Sequence, residues 1–228
     1  MKTSLKQRKS TNEELSRRPI KSRSTKWAAA IAASLAKAGV RPNLVSSMSV
    51  VFAIAGGVLF FFAPKLEPSA QIACFIGAAA CIQARLLCNL FDGMIAVEYN
   101  KKSKLGGMFN EMPDRLADAI FLVLAGYASQ YGQLGNEIGW MAALLAVLTA
   151  YIRAFAVSLG LKNDFCGPMA KPQRMFILTL ASLLAAGETA LSLPPNAIFY
   201  GLCIIALGSA ITCIRRSMHM AKELKSIN

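Results

Sequence analysis

The sequence has one histidine, His219, and only 12 acidic residues against 25 Lys and Arg. The histidine sits in a basic C-terminal segment and reads as a solvated surface residue, so a metal site elsewhere has to be built from oxygen ligands. A disulfide framework is also missing. Cys74, Cys81, Cys88, Cys203 and Cys213 fall within or at the ends of apolar segments, and all six cysteines read as free thiols. The spacing of seven between Cys74, Cys81 and Cys88 reads as a small-residue packing stripe, because thiolate sites need ligands that converge in space. No short cleavable secretory core precedes the first apolar stretch, and no internal repeat is visible. The scarcity of acids leaves a net charge of +13. Such a surplus suits nucleic acid or anionic lipid, but the basic residues lie almost wholly outside the apolar runs, and no nucleic-acid partner is expected.

What the chain does have is apolar sequence: 55% of its 228 residues are hydrophobic, which points to the membrane as solvent. Residues 1–26 are rich in Lys, Arg, Ser and Thr and read as a disordered basic tail. The run from Trp27 to Ala38 is too short to cross a bilayer and ends at Gly39, so it is expected to be an interfacial helix. Spans are predicted at 44–63, 70–91, 107–129, 139–160, 174–193 and 196–214, each near the ~20 residues needed to cross the hydrocarbon core. The expected fold is therefore an all-α integral membrane domain of six transmembrane helices over 27–214, followed by a basic tail at 215–228. Nearly all Lys and Arg fall in 1–41, 98–104, 162–174 and 215–228, while the alternate loops carry Lys65 with Glu67, Glu137 and Glu188. The positive-inside rule then places both termini in the cytoplasm.

Ionisable residues at the ends of membrane helices suggest function, and this chain has one cluster of them. Arg85, Asn89 and Asp92 share a face at the end of the second span; Asn110, Asp114 and Asp118 share one at the start of the third. The loop from Ala96 to Gly106, with Lys101, Lys102 and Lys104, returns the chain to the same surface, so the two faces can meet. Carboxylate and carboxamide oxygens in facing rows suit Mg²⁺ or Mn²⁺ with positions left for phosphate. Gly93, Gly106 and Gly107 permit the close backbone approach a diphosphate requires. The competing account is a buried salt-bridge network in which Arg85 and Arg115 neutralise the acids.

These residues resemble the signature of the CDP-alcohol phosphatidyltransferase family, Asp-x2-Asp-Gly-x2-Ala-Arg-x8-Gly-x3-Asp-x3-Asp. Here the frame reads Asn89-x2-Asp92-Gly93-x2-Ala96-Val97-x8-Gly106-x3-Asn110-x3-Asp114. Every spacing is kept, while two aspartates are Asn and the arginine is Val. The segment AKAGVRPNLVS before the first span and the six-helix plan extend the likeness over most of 27–214. The resemblance implies that Asn89, Asp92 and Asn110, with Asp114, hold the metal and the CDP diphosphate, and that Asp114 is the base for the acceptor hydroxyl. It implies Gly93, Ala96 and Gly106 at the CDP-lipid, where Arg85 or Arg115 substitutes for the missing arginine. Asn brings no charge, so either Glu111 or Asp118 makes up the deficit or the site holds one ion rather than two.

Arg153, Lys171 and Arg174 fall where they can surround a phosphate-bearing or polyol acceptor, and the family places acceptor-binding residues similarly; plain positive-inside charge is the alternative for Lys171 and Arg174. The expected reaction moves a phosphatidyl-type group from a CDP-activated lipid to an alcohol with release of CMP. The expected location is a bacterial inner membrane, among membrane lipids, with the homodimer an open assembly. An intramembrane prenyltransferase, for which Asp114-Arg115-x2-Asp118 is a faint cue, and a non-catalytic scaffold or transporter are the competing functions.

Overall fold

The computed structural model describes residues 25–99 and 105–227, and among them every regular element is helical. Helix α1 (Lys26–Lys37) is followed by α2 (Pro42–Phe62), a 3-10 turn (Ala63–Lys65), α3 (Pro68–Glu98), α4 (Gly106–Tyr127), α5 (Gln133–Ser158), α6 (Lys171–Ala190) and α7 (Ala197–Ile227). Residues 1–24 of the tail expected at 1–26 and the lysines at 101, 102 and 104 lie outside the described residues, as does the side chain of Asn110, while Lys26 already belongs to α1.

Local chemistry sets the boundaries. Pro42 and Pro68 open α2 and α3, where the missing N–H is one the helix leaves unbonded anyway. Gly39 (φ +78°) and Gly160 (φ +82°) end α1 and α5 in left-handed conformation, and the following N–H groups of Val40 and Leu161 bond back to Leu35 O and Ala156 O, each at 3.1 Å.

Among the described residues, four helical segments are long and apolar enough to cross a membrane: Pro42–Lys65, Pro68–Glu98, Gln133–Ser158 and Ala197–Ser226. Helices α4 and α6 have 22 and 20 residues, but charged residues near their starts, Glu111, Asp114, Arg115 and Asp118 in one and Lys171 and Arg174 in the other, dilute their apolarity. The six long helices form a closed ring in which α3 packs on α2, α2 on α4, α4 on α5, α5 on α7, α7 on α6 and α6 on α3. Outward faces are apolar, as Leu144, Phe176 and Leu207, each about two-thirds exposed, illustrate. The core inside the ring is built from Phe60, Phe75, Ile82, Phe121, Leu122, Met175, Leu178 and Leu202.

At one end of the ring α4 and α5 nearly touch backbone to backbone. A β-carbon on Gly126 would lie 2.7 Å from Gly135 O, and one on Gly139 would lie 2.9 Å from both Gly126 Cα and Leu122 O, so only glycine permits this crossing. Cys81 packs in the same manner on Gly56, and all six cysteines are free.

Because the long helices alternate in direction, the start of α2, the end of α3, the start of α4, the end of α5, the start of α6 and the end of α7 gather at the other end. Helix α1 covers that end, burying Ala28, Ala32 and Ala36 against Leu90, Phe91, Met94 and Ile95 of α3, with Trp27 edge-on to Phe91 at 6.3 Å. Two elements differ from sequence expectation. Helix α3 continues through Glu98, so Ala96 and Val97, expected in the loop, are helical, as is Gly93. Helix α7 runs past 214 to Ile227 without a break. At 1.5 Å per residue each 31-residue helix is ~46 Å long, well beyond a ~30 Å hydrocarbon core, so the excess projects from the membrane.

Candidate active site

The charged end contains two polar layers. In the deeper one Asp118 of α4 lies between two arginines: Arg85 Nη2 of α3 donates to Oδ1 at 2.6 Å and Arg174 Nη2 of α6 donates to Oδ2 at 2.8 Å. Both arginines and Asp118 are at most 2% exposed. Arg85 Nη2 also donates to the Asp114 carbonyl at 3.1 Å, and Arg174 Nη1 to Met169 O at 3.1 Å and Thr149 Oγ1 at 3.3 Å. Charges buried this far persist only when paired and hydrogen-bonded, and here both carboxylate oxygens are taken. Helices α3 and α4 touch little directly, so this Arg–Asp–Arg bridge joins α3, α4 and α6 across the ring interior.

The layer above is open. Asp92 of α3 is 4% exposed; Ser46 Oγ of α2 donates to its Oδ2 at 2.6 Å, while Oδ1 is buried without a hydrogen-bond partner. Asp114 of α4 accepts from Lys171 Nζ at Oδ2, and its Oδ1, 3.4 Å from Arg85 Nη2, likewise has no hydrogen bond. Asn89 lies one turn before Asp92, and its Nδ2 is buried and unpartnered; a half-turn of the amide presents the carbonyl oxygen instead. Buried oxygens without donors are exceptional. Two such oxygens, with the reversible amide of Asn89, are donors of the kind a hard divalent cation binds.

Toward the opening, Glu111 of α4 pairs with Arg115 one turn on and accepts from Arg153 Nη2 of α5 at 3.1 and 3.3 Å. A cavity of about 440 Å³ joins these groups, lined by Trp27 of α1, Gln83 and Asn89 of α3, Glu111, Asp114 and Arg115 of α4, Thr149 and Arg153 of α5, Lys171 and Arg174 of α6, Phe165 of the α5–α6 loop and Arg216 of α7. That volume is in the range of small-molecule sites.

Most of the residues singled out in the sequence meet here. Arg153, Lys171 and Arg174 reach the cavity, and Arg174 and Lys171 also anchor the two aspartates. Arg85 is fully buried beneath the cavity and faces Asp114 and Asp118 rather than open space. Gly93 and Ala96 lie half-buried on the last turns of α3, and Gly106 opens α4. The main residues missed are Ser46, which holds Asp92, and Arg216. Arg216 is 6% exposed and donates from Nη1 to Thr149 O at 2.7 Å and from Nε to Cys166 O at 3.0 Å. The sequence cue for Arg216 is a polar face at i, i+3 and i+7, Ser209, Thr212 and Arg216, inside an apolar run; all three are buried.

Comparison with known proteins gives a consistent result. The family model described as CDP-alcohol phosphatidyltransferase matches residues 40–215. The phosphatidylinositol phosphate synthase of Mycobacterium tuberculosis (strain ATCC 25618 / H37Rv) is 26% identical over 193 residues, covering 82% of each chain. The crystal structure of the M. tuberculosis synthase with CDP-DAG bound superposes with a TM-score of 0.69 at 21% identity, covering 86% of this chain and 94% of that one. The same enzyme in complex with manganese and citrate gives a TM-score of 0.68 at 22% identity, covering 85% of this chain and 88% of that one.

Proposed function

The chain belongs to the CDP-alcohol phosphatidyltransferase family, and from that premise we propose that it transfers a phosphatidyl-type group from a CDP-activated lipid to a phosphorylated polyol of the inositol phosphate class. It is a membrane transferase of phospholipid biosynthesis, and its family favours this chemistry over prenyl transfer or a scaffold role. The observation that carries the choice of acceptor is the charge of the cavity wall. Five cations, Arg115, Arg153, Lys171, Arg174 and Arg216, line it with two carboxylates, Glu111 and Asp114, and Arg174 has a further counter-charge in Asp118 beneath, which leaves a surplus of positive charge. A diphosphate held by a divalent ion needs few of them, so the rest suit a second anionic group on the acceptor.

In the reaction the acceptor hydroxyl oxygen bonds to the lipid-side phosphorus of the donor, the bond from that phosphorus to the bridging oxygen breaks, and CMP leaves with the electron pair. Asp92 and Asn89 would hold Mg²⁺ or Mn²⁺, with Asn110 joining them by its motif position. Bound there, the metal would neutralise the diphosphate and the charge developing on CMP. Asp114 takes the hydroxyl proton through the oxygen that carries no hydrogen bond, while Lys171 fixes the other. Glu111 holds Arg115 and Arg153 in line at the opening. Asp118 acts as the anchor beneath and not as a ligand, since neither of its oxygens is free. Helices α4 and α6 complete six spans, and the charged end faces the cytoplasm, in keeping with the Lys and Arg distribution.

The test uses sealed vesicles of known orientation with CDP-diacylglycerol and Mg²⁺. Inositol phosphate added to the cytoplasmic face should release CMP faster than glycerol phosphate, serine or unphosphorylated inositol, and Asp92→Ala should abolish both donor binding and turnover. Equal rates with unphosphorylated inositol, or turnover only from the opposite face, would overturn the assignment.

A further inference from the structure

The loop between α5 and α6 brings a second group of ligating side chains against α7, away from Asp92 and Asp114. The carboxylate of Asp164, the thiol of Cys166 and the imidazole of His219 present ligand atoms that all lie within 4.8 Å of one another. Asp164 and Cys166 are at i and i+2 on one turn of the loop, where Asp164 Oδ1 accepts from the Cys166 N–H at 2.7 Å. His219 Nδ1 lies 3.3 Å from Asp164 Oδ2, an oxygen that is buried yet has no hydrogen-bond partner. Beside them is a small cavity of about 10 Å³, lined by Asp164 and His219, by Glu223 one helical turn beyond the histidine, and by the cations Arg153, Lys162 and Arg216. Burial and the neighbouring Asp164 carboxylate push the Cys166 thiol up to about 11.

We propose that Asp164, Cys166 and His219 form a three-ligand site for a borderline divalent cation of the Zn²⁺ class, with solvent in the fourth position, separate from the Mg²⁺ or Mn²⁺ of the reaction. One S, one N and carboxylate O is a donor set that Zn²⁺ accepts and Mg²⁺ does not favour. Ligands at 2.0–2.3 Å from a tetrahedral ion lie about 3.3–3.7 Å apart, so the observed group needs to close by only about 1 Å. On binding, the sulfur coordinates as thiolate and its proton passes to solvent. The site ties the loop to α7 beside Arg216, whose Nε already holds the Cys166 carbonyl, and so it fixes the far wall of the reaction cavity.

The probe is Co²⁺, added to the full chain in detergent under reducing conditions with Mg²⁺ in large excess. The expected result is one equivalent bound, with a thiolate-to-cobalt charge-transfer absorption that Zn²⁺ removes and further Mg²⁺ does not. Cys166→Ser should abolish that band, His219→Ala should weaken binding at least tenfold, and Asp92→Ala and Cys88→Ser should leave the band intact. His219 is exposed, so its variant reports even if Cys166→Ser folds poorly. Absence of the band in the wild-type chain, its survival in Cys166→Ser, or unchanged affinity in His219→Ala would overturn the proposal. None of these readouts depends on transferase activity.

Discussion

Asp114 and Asp118 occupy the same face of α4 one turn apart, yet they belong to different layers with opposite properties. Asp118 has an arginine on each oxygen and no access to the cavity. Asp114 has a lysine on one oxygen, an unbonded second oxygen and a place in the cavity wall. The deep layer uses both oxygens of Asp118, while Arg85 Nε and Nη1 and Arg174 Nε are buried there without a hydrogen-bond partner. The layer above is incomplete, with one oxygen each on Asp92 and Asp114 buried without a hydrogen-bond partner. Stability is therefore expected to depend on the lower residue and chemistry on the upper ones.

Three substitutions bear on that contrast. Asp114→Asn should have the largest effect, lowering turnover by about 10²- to 10⁴-fold while donor binding persists, because the carboxamide keeps the shape but takes no proton. Measuring CMP release alongside CDP-lipid binding separates the two, and a turnover loss below tenfold would remove Asp114 as base. Asp118→Ala should instead unfold the protein more easily by about 3–5 kcal/mol, since two buried arginines lose their counter-charge. Thermal melts in detergent read this directly; an unchanged melt would show the deep layer to be solvated. Glu111→Gln, at the half-exposed rim, should cost at most about 1 kcal/mol of stability. Its signature should be a raised KM for the acceptor, as Arg115 and Arg153 lose their shared partner. An effect as large as that of Asp118→Ala would erase the distinction between rim and anchor.

How much of this was readable beforehand differs by residue. The helical register that puts Asn89 with Asp92 and Asn110 with Asp114 follows from spacing alone, as do the helix starts at Pro42 and Pro68. Which carboxylate would be neutralised could not be read, because periodicity assigns a face and says nothing of what stands opposite. Arg174 lies 56 positions from Asp118, and only ring closure brings them together. Helix α3 runs further than the expected loop at Ala96–Gly106 allows, because Met94 and Ile95 pack against α1 and keep the last turns formed. Arg216 was concealed by its neighbours in the basic segment, where charge suggested solvent rather than burial.

The glycine crossing of α4 and α5 lies at the opposite end of the ring from the cavity, where the two axes come closer than any side chain would allow. A methyl group at Gly126 would meet backbone at 2.7 Å and one at Gly139 at 2.9 Å, and either would force the helices apart. Asp114 lies about 18 Å along α4 from Gly126 at 1.5 Å per residue, so a tilt of about 5° forced there would displace it by roughly 1.6 Å. A substitution at this crossing is therefore expected to disturb the wall carrying Asp114, Glu111 and Arg115 from a distance, without touching any residue of the site.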